Sequence, residues 1–310
     1  MKISNAFLFD RAGSQMSQLQ ATLVKSQGQM ASGKQVVQPS DDPNRVATID
    51  RLNTLLSRQD SYMTNINLVK ARFDIEEGAV SSAINLMYRV KELTVQASND
   101  TLGPVDRSAI ATELQGLRNQ LLSLANSQDT NGNYLFSGSR VTQAPFDHPA
   151  GNNQESPVYQ GDQTRMEVSI GDQRTLPINR SGSEVFVRVV RTDNNGQAEG
   201  VGFFQAFDDL IEAVGTSAVS DIQRGNGEID RMLEGLNLAR ADIGTDQAIL
   251  DHQKSSAEDR MIILQTNLSD VQDLDYAKAI AEMNKQMLSL EAAQSSFAKI
   301  SQLNLFQFLR

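Results

Sequence analysis

Apolar side chains recur with helical spacing near both ends of the chain. Near the N-terminus they are Met16, Leu19, Leu23 and Met30, and near the C-terminus they are Met283, Met287, Leu290, Phe297 and Ile300. Steps of three, four and seven place each set on one stripe of a helix. Most intervening residues are Gln, Ser, Ala or Asn, so each stripe is narrow. We therefore expect two weakly amphipathic helices that need a partner.

A longer seam follows the first of these helices. Asp42 can accept the free N–H groups of a helix start, and Pro43 suits the first helical position, where its missing donor costs nothing. From Ile49 to Met87, alternating steps of three and four reach an apolar residue at nine of twelve positions. This pattern predicts a long helix that ends near Asn99.

The pair Gly103-Pro104 ends that helix, and a second apolar seam follows at Ile110, Leu114, Leu117, Leu121 and Leu124. A break this short favours an antiparallel return against the first helix. The seam closes in turn residues, Asp129 to Gly132.

The middle of the chain has a different pattern. Four of the seven prolines lie between Pro145 and Pro177. Apolar and polar residues alternate from Met166 to Ile170 between two Gly-Asp pairs, which predicts a strand. Val185 to Val190 is β-branched and apolar and predicts another. We expect residues 137–202 to form a small β-rich domain.

Helical spacing returns at Phe203 to Val214. Gly225 and Gly227 predict an interruption, after which the pattern runs almost without breakers to the C-terminus. The final residues include five large apolar side chains, Leu303, Leu305, Phe306, Phe308 and Leu309. Alone in water, such an end is expected to be poorly ordered or bound to a partner.

The fold class expected from these patterns is mainly α, with an inserted β-rich domain. The two chain ends supply a long antiparallel helical rod or coiled coil. We predict terminal assembly helices at 1–40 and 270–310, disordered in the monomer, and a helical rod at 41–136 and 203–269. The β-rich outer domain lies between them at 137–202.

Composition narrows the range of possible binding partners. The net charge of -10 and the pI near 4.8 oppose binding to phosphate backbones and anionic lipid, so neither nucleic acid nor a membrane is expected. No run of 18 apolar residues and no apolar leader core is present, so no Sec-type signal is predicted. The chain has no Cys, which excludes thiolate chemistry.

Candidate catalytic groups are few. His148 and His252 lack partners at metal-ligand spacing. The run from Asp129 resembles a calcium loop, but its glycine is misplaced and Arg140 stands where the loop needs Glu. Neighbouring Asp208 and Asp209 point to different faces of a helix. We expect no enzyme, no cofactor and no metal site.

Several short motifs, in their order along the chain, make it resemble the flagellin family of axial flagellar proteins. They are Met1-Lys2-Ile3-Ser4, Ser32-Gly33-Lys34 leading to Ser40-Asp41-Asp42-Pro43, Gly132-Asn133-Tyr134-Leu135-Phe136-Ser137-Gly138, and Asp275-Tyr276-Ala277 through Leu303-Asn304-Leu305-Phe306. The resemblance covers about 140 N-terminal and 90 C-terminal residues, and the middle is not matched.

The resemblance implies that the paired termini form the inner layer of a tube, as a ring of copies of this chain. It also implies export through the flagellar type III channel, with an export chaperone holding the apolar C-terminus. Flagellins usually have Ala at the position of Pro43, and they end in Pro-Gln and a Leu-rich pentapeptide. This chain differs at both places, which favours an extracellular adaptor between hook-side junction subunits and flagellin.

Two alternatives stay open from the sequence. The first is a flagellin that forms the filament itself. The second is a secreted coiled-coil interaction or adhesin module unrelated to motility, with terminal helices that are stable in the isolated monomer.

Overall fold

The computed structural model describes residues 2–99, 101–149, 155–192 and 198–308. The helices are α1 (Lys2–Ser32), α2 (Pro43–Ala97), α3 (Pro104–Ala125), α4 (Gly182–Val185), α5 (Phe203–Thr216), α6 (Val219–Gln272) and α7 (Tyr276–Phe308). The strands are β1 (Phe146–Asp147), β2 (Val158–Tyr159), β3 (Glu167–Gly171), β4 (Arg174–Pro177), β5 (Val189–Thr192) and β6 (Ala198–Val201). The predicted fold class, mainly α with inserted β structure, is confirmed.

The chain divides into two compact units. A terminal unit contains residues 1–59 and 258–310, and a central unit contains residues 60–257. These boundaries differ from those of our predicted domains, which group residues by their role in assembly. That grouping stays a prediction.

In the central unit, α3 returns antiparallel along α2 as the short break at Gly103 predicts. Arg89 of α2 donates to the carboxylate of Glu113 at 2.9 Å. Nearer the break, the buried guanidinium of Arg107 donates to the carbonyl of Ala97 at 2.8 Å. The apolar seam of α3 is buried at Ile110, Leu114, Leu117 and Leu121.

Helix α6 also lies antiparallel to α2 within the central unit. Ion pairs join Lys70 to Asp251 and Lys91 to Asp230. Between these pairs, the amide of Gln247 donates to Asp74 at 3.0 Å. The residue numbers of the partners on α6 fall as those on α2 rise, which shows that the two helices are antiparallel. These polar pairs lie along the edge of the seam and fix the register. The buried apolar residues supply the core.

Among the residues that the structure describes, the β structure consists of three two-stranded antiparallel sheets. The predicted strand at 166–170 is present as β3, which forms a hairpin with β4 and buries Ile170 and Leu176. The predicted strand at 185–190 is partly wrong. Val185 ends the short helix α4, which the hydroxyl of Ser181 caps, and the strand begins only at Val189.

Aromatic rings anchor this β structure on the helices. Phe146, Phe186, Phe203 and Phe204 are buried and meet at centroid separations of 5.2–6.2 Å. Most of these contacts are edge-to-face, which is a favoured geometry for aromatic pairs. The start of α5 therefore shares one core with β1 and α4.

Two predicted helix boundaries near the C-terminus are wrong. Helix α6 continues through Gly225 and Gly227, and the break before it lies instead at Ser217, which has a φ of 59°. A Cβ at Gly225 would lie 2.7 Å from Leu210, so this glycine permits close packing of α5 on α6. Conversely, the helix predicted to run on to the end stops at Gln272, and α7 begins at Tyr276.

Candidate assembly interface

The candidate interface is the pair of helices α1 and α7 in the terminal unit. The rings of Phe9 and Phe297 meet edge-to-face with centroids 5.4 Å apart. Further along, the hydroxyl of Ser26 donates to Gln286 at 3.1 Å. The hydroxyl of Tyr276 donates to the carbonyl oxygen of Met30 at 3.3 Å. These contacts define an antiparallel pair built from the two ends of the chain.

The predicted interface residues occupy this pair as follows. Half-buried side chains belong to Met16, Leu19, Leu23, Met30, Met283, Leu290 and Phe297. Met287 is 49% exposed. Ile300, Leu303, Leu305, Phe306 and Phe308 fall within α7, but their side chains are outside the described part of the chain, as is the whole of Leu309. Their part in an interface stays a prediction.

The apolar stripes are only partly covered within the single chain. Among the described side chains of α1 and α7, none is fully buried. Val24, Ile280 and Leu288 remain 44–67% exposed. Covering apolar surface that is exposed to water lowers the free energy. The pair therefore has a driving force for further association.

The connector between α1 and α2 is held by charges. Asp42 accepts a hydrogen bond from the backbone N–H of Arg45 at 3.0 Å, and Pro43 is the first residue of α2. The ammonium of Lys25 lies 3.0 Å from Asp41. A hydrogen bond from Lys25 lowers the pKa of the Asp41 carboxyl, with burial opposing it and a backbone bond from Gln38 adding to it.

Several contacts in this interface were missed by the sequence reasoning. Phe9 belongs to the short apolar cluster Phe7-Leu8-Phe9, which we did not assign to an interface, and Ser26 with Gln286 gave no apolar signal. Only the antiparallel pairing could have indicated these contacts, because residues 9 and 297 lie at matching distances along the sequence from the helix breaks. That match can be recognised only when the positions of both breaks are known.

The candidate carboxylates bind arginines in the central unit. Asp208 accepts two bonds of 2.9 Å from Arg118, and Asp209 accepts one of 2.7 Å from Arg191. Each carboxylate thus ties α5 to a different element. Asp129 accepts the backbone N–H groups of Asn131 and Asn133, as a turn requires.

One buried acid is unusual. Glu76 of α2 is 0% exposed and accepts a 3.1 Å hydrogen bond from Arg180, which also pairs with Asp246 of α6. The Nε atom of Arg72, one turn earlier in α2, lies 3.6 Å from the Glu76 carboxylate. Burial raises the pKa of Glu76 to about 7, against the attraction of the two arginines. Through Arg180, the acid ties the segment between β4 and α4 to α2.

Within the described ranges, no three His, Cys, Asp or Glu side chains come close enough to hold a metal ion. Among the same described residues, no helix has the length and hydropathy needed to cross a bilayer.

Comparisons with known proteins agree with the mainly α fold described above. The family model for the bacterial flagellin N-terminal helical region matches residues 3–141, and that for the C-terminal helical region matches residues 227–309. Together they match most of the chain, including α1, α2, α3 and α7. The chain belongs to the bacterial flagellin family, whose members are structural proteins of the flagellum.

Particular relatives refine this. The chain is 28% identical over 323 residues to flagellar hook-associated protein 3 of Salmonella typhimurium, with 100% of both chains covered. It is 22% identical over 342 residues to polar flagellin A of Vibrio parahaemolyticus, covering 90% of each. A crystal structure of flagellar hook-associated protein 3 from Legionella pneumophila shares the fold with a TM-score of 0.65 at 18% identity, covering 72% of this chain and 98% of that one.

Proposed function

We propose that this chain is a structural adaptor that joins the bacterial flagellar hook to the filament. The observation that carries the proposal is its similarity to hook-associated protein 3 along the whole length of both chains, middle region included. The match to a flagellin is weaker and covers less of each chain. The filament-subunit alternative is therefore less favoured, and membership of a flagellar family disfavours an adhesin unrelated to motility.

The adaptor acts through its paired ends. Residues 1–40 and 270–310 form the inner layer of a ring of copies, residues 41–136 and 203–269 form the rod, and residues 137–202 point outward. Support comes from the half-exposed stripes of α1 and α7, which neighbouring subunits would cover. The conformational entropy that is lost when the ends become ordered is then offset by their burial at assembly.

The partners follow from this placement. Hook-side junction subunits lie on one side of the ring and flagellin on the other, at the hook–filament junction outside the cell. An export chaperone holds the apolar C-terminus until the subunit has passed the type III channel. The role needs no catalysis, and we propose no enzymatic activity.

The experiment that tests the adaptor is deletion of Leu303 to Arg310 in cells that lack the wild-type gene. The central unit contains none of these residues, so it should keep its thermal unfolding midpoint while incorporation into flagella is lost. A matched control replaces exposed Gln294 and Ser295 by Ala, which leaves the apolar end intact and should preserve filaments. Normal filaments from the deletion strain would contradict the proposal.

A second measurement separates the adaptor from a flagellin. Purified full-length chain is mixed with short filament seeds and followed by electron microscopy. An adaptor should cap the seeds without lengthening them, whereas a flagellin should extend them into long filaments. Extension by this chain alone would establish the flagellin alternative.

A further inference from the structure

Two helix interruptions lie side by side in the terminal unit. Helix α1 ends at Ser32, and Gly33 follows with a φ of +69°, a backbone conformation that glycine adopts without strain. Helix α6 ends at Gln272, and α7 does not begin until Tyr276. These breaks are 240 residues apart in sequence, yet they meet in space.

Backbone hydrogen bonds join the two breaks. The N–H of Gln35 donates to the carbonyl of Gln272 at 2.8 Å, and the N–H of Leu274 donates to that of Gly33 at 2.9 Å. Lys34 and Asp273 are thereby paired as an isolated antiparallel bridge. We call residues 33–35 and 272–274 the joint.

Neighbouring side chains hold the joint in place. The amide of Gln29 donates to the carbonyl of Gln35 at 2.5 Å. On the other segment, Tyr276 reaches Met30, and Arg45 donates to the carbonyl of Val271 at 3.3 Å. A Cβ at Gly33 would lie 3.1 Å from the Tyr276 hydroxyl, so this position has little room for a larger residue.

The helices beyond the joint do not define their own alignment strongly. Their apolar stripes repeat every seven residues and are nowhere fully buried within the described part of α1 and α7. A slip of seven residues would again bring stripe against stripe, with a displacement of roughly 10 Å along the axis. Backbone bonds at a helix break have no such repeat, because each joins one particular residue to another.

We propose that the joint fixes the register in which α1 and α7 pair, and that pairing extends from it toward the chain ends. The side chains then stabilise an alignment that the joint has already selected. This inference does not depend on the role of the chain in the hook–filament junction. It differs from the expectation that all of residues 1–40 and 270–310 are disordered in the monomer, because it requires the part of the pair next to the joint to be ordered in the single chain, while the residues toward the termini become ordered at assembly.

The test measures the register in the full-length chain. Cysteines are introduced by Ala21→Cys and Ala277→Cys, both at exposed positions near the joint in a chain with no other Cys. Spin labels on them lie about nine residues, or roughly 13 Å, apart along the axis, so a one-heptad slip changes that offset by roughly 10 Å. Double electron–electron resonance reports the distance.

The joint is then opened by Gln35→Pro, with Gln35→Ala as the matched control. Both substitutions remove the same side chain, but only proline removes the N–H that donates to Gln272. The alanine variant should keep one narrow distance, and the proline variant should give a broad or displaced distribution. Leu274→Pro against Leu274→Ala repeats the comparison from the other segment.

The outcomes are decisive in both directions. An unchanged narrow distance in both proline variants would overturn the proposal, as would a broad distance in the chain with the native joint. Circular dichroism with thermal unfolding checks the central unit, which contains none of the substituted residues. Loss of incorporation into flagella is a separate readout, so failure of the adaptor proposal is distinguishable from failure of this one.

Discussion

Replacing the buried acid Glu76 by glutamine should change how stability depends on pH. Burial raises the pKa of Glu76 from an ordinary 4.5 to about 7 in the folded chain. Between these values the folded state holds a proton that the unfolded state has released. The free energy of unfolding therefore falls as pH rises through this window, by roughly 3 kcal/mol in total for this group.

Glutamine resembles the protonated acid, because it is neutral and its carbonyl oxygen can accept the same bond from Arg180. We expect Glu76→Gln to match the native chain near pH 5 and to exceed it in stability above pH 7. Arg180 and Arg72 keep Asp246 and Asp129 as partners, so neither cation is left without a carboxylate. Urea unfolding at pH 5, 6, 7 and 8 measures the effect.

A suitable control is Glu77→Gln at the next position, where the carboxylate is exposed and accepts a 3.2 Å bond from Arg240. This variant leaves Glu76 in place, so the fall in stability caused by Glu76 should persist. If the native chain instead gains stability between pH 5 and 8, and Glu76→Gln does not, the reasoning is refuted. The attraction of Arg72 and Arg180 would then outweigh burial and keep Glu76 ionised.

The remaining predictions concern the central unit and are measured by thermal or urea unfolding. Gly138 has a φ of +71°, and a Cβ there would meet the backbone oxygen of Asp162 at 2.3 Å, whereas Gly132, with a φ of +82°, has open space. Gly132→Ala should lower the free energy of unfolding by about 1 kcal/mol, because it bears only the strain of the left-handed backbone conformation. Gly138→Ala should lower it by roughly 2 kcal/mol more. Equal losses in the two variants would contradict this prediction. Arg118→Ala removes the two hydrogen bonds that Arg118 donates to Asp208 and should lower the free energy of unfolding by about 2 kcal/mol. Arg89→Ala removes an exposed pair and should lower it by less than about 1 kcal/mol. The reverse order would show that burial is not the deciding factor.

Much of the helical fold follows from apolar spacing and breakers. The start at Pro43, the break at Gly103 and the seam of α3 are confirmed, because each has a strong local signal. The break between α6 and α7 has neither glycine nor proline and could not be predicted this way. Long-range backbone bonds from the connector stabilise it, and those depend on residues far away in sequence.

The buried position of Glu76 was missed for a geometrical reason. The seam was followed from Ile49 with a period of 3.5, which gives position 77. One half of the seam is right, since positions 52, 59, 66, 73, 80 and 87 are all buried at a constant spacing of seven. The second buried line lies three residues after positions 66, 73 and 80, at Val69, Glu76 and Ala83, whereas the pattern was continued four residues on, to position 77. Residues at i+3 and i+4 both lie on the same side of a helix, and a charged residue at 76 gives no apolar signal to choose between them.

The same limit applies to the candidate interface. Stripe residues on α1 and α7 could be selected from spacing, but which residue faces which depends on the joint. Polar contacts such as Ser26 with Gln286 add little to an apolar pattern, and no local signal distinguishes them from solvated residues. Pairing between chain ends therefore has to be read from the structure.

The meeting of Gly33 with Leu274 also orders events during folding. Closing a flexible loop of about 240 residues is entropically costly, and the cost grows with the logarithm of loop length. Prior folding of the central unit removes most of that freedom, since it leaves only the short segments that lead to the joint. High contact order thus makes the terminal unit a late-forming structure. Damage to the central core should delay its closure even when every residue of the terminal unit is intact.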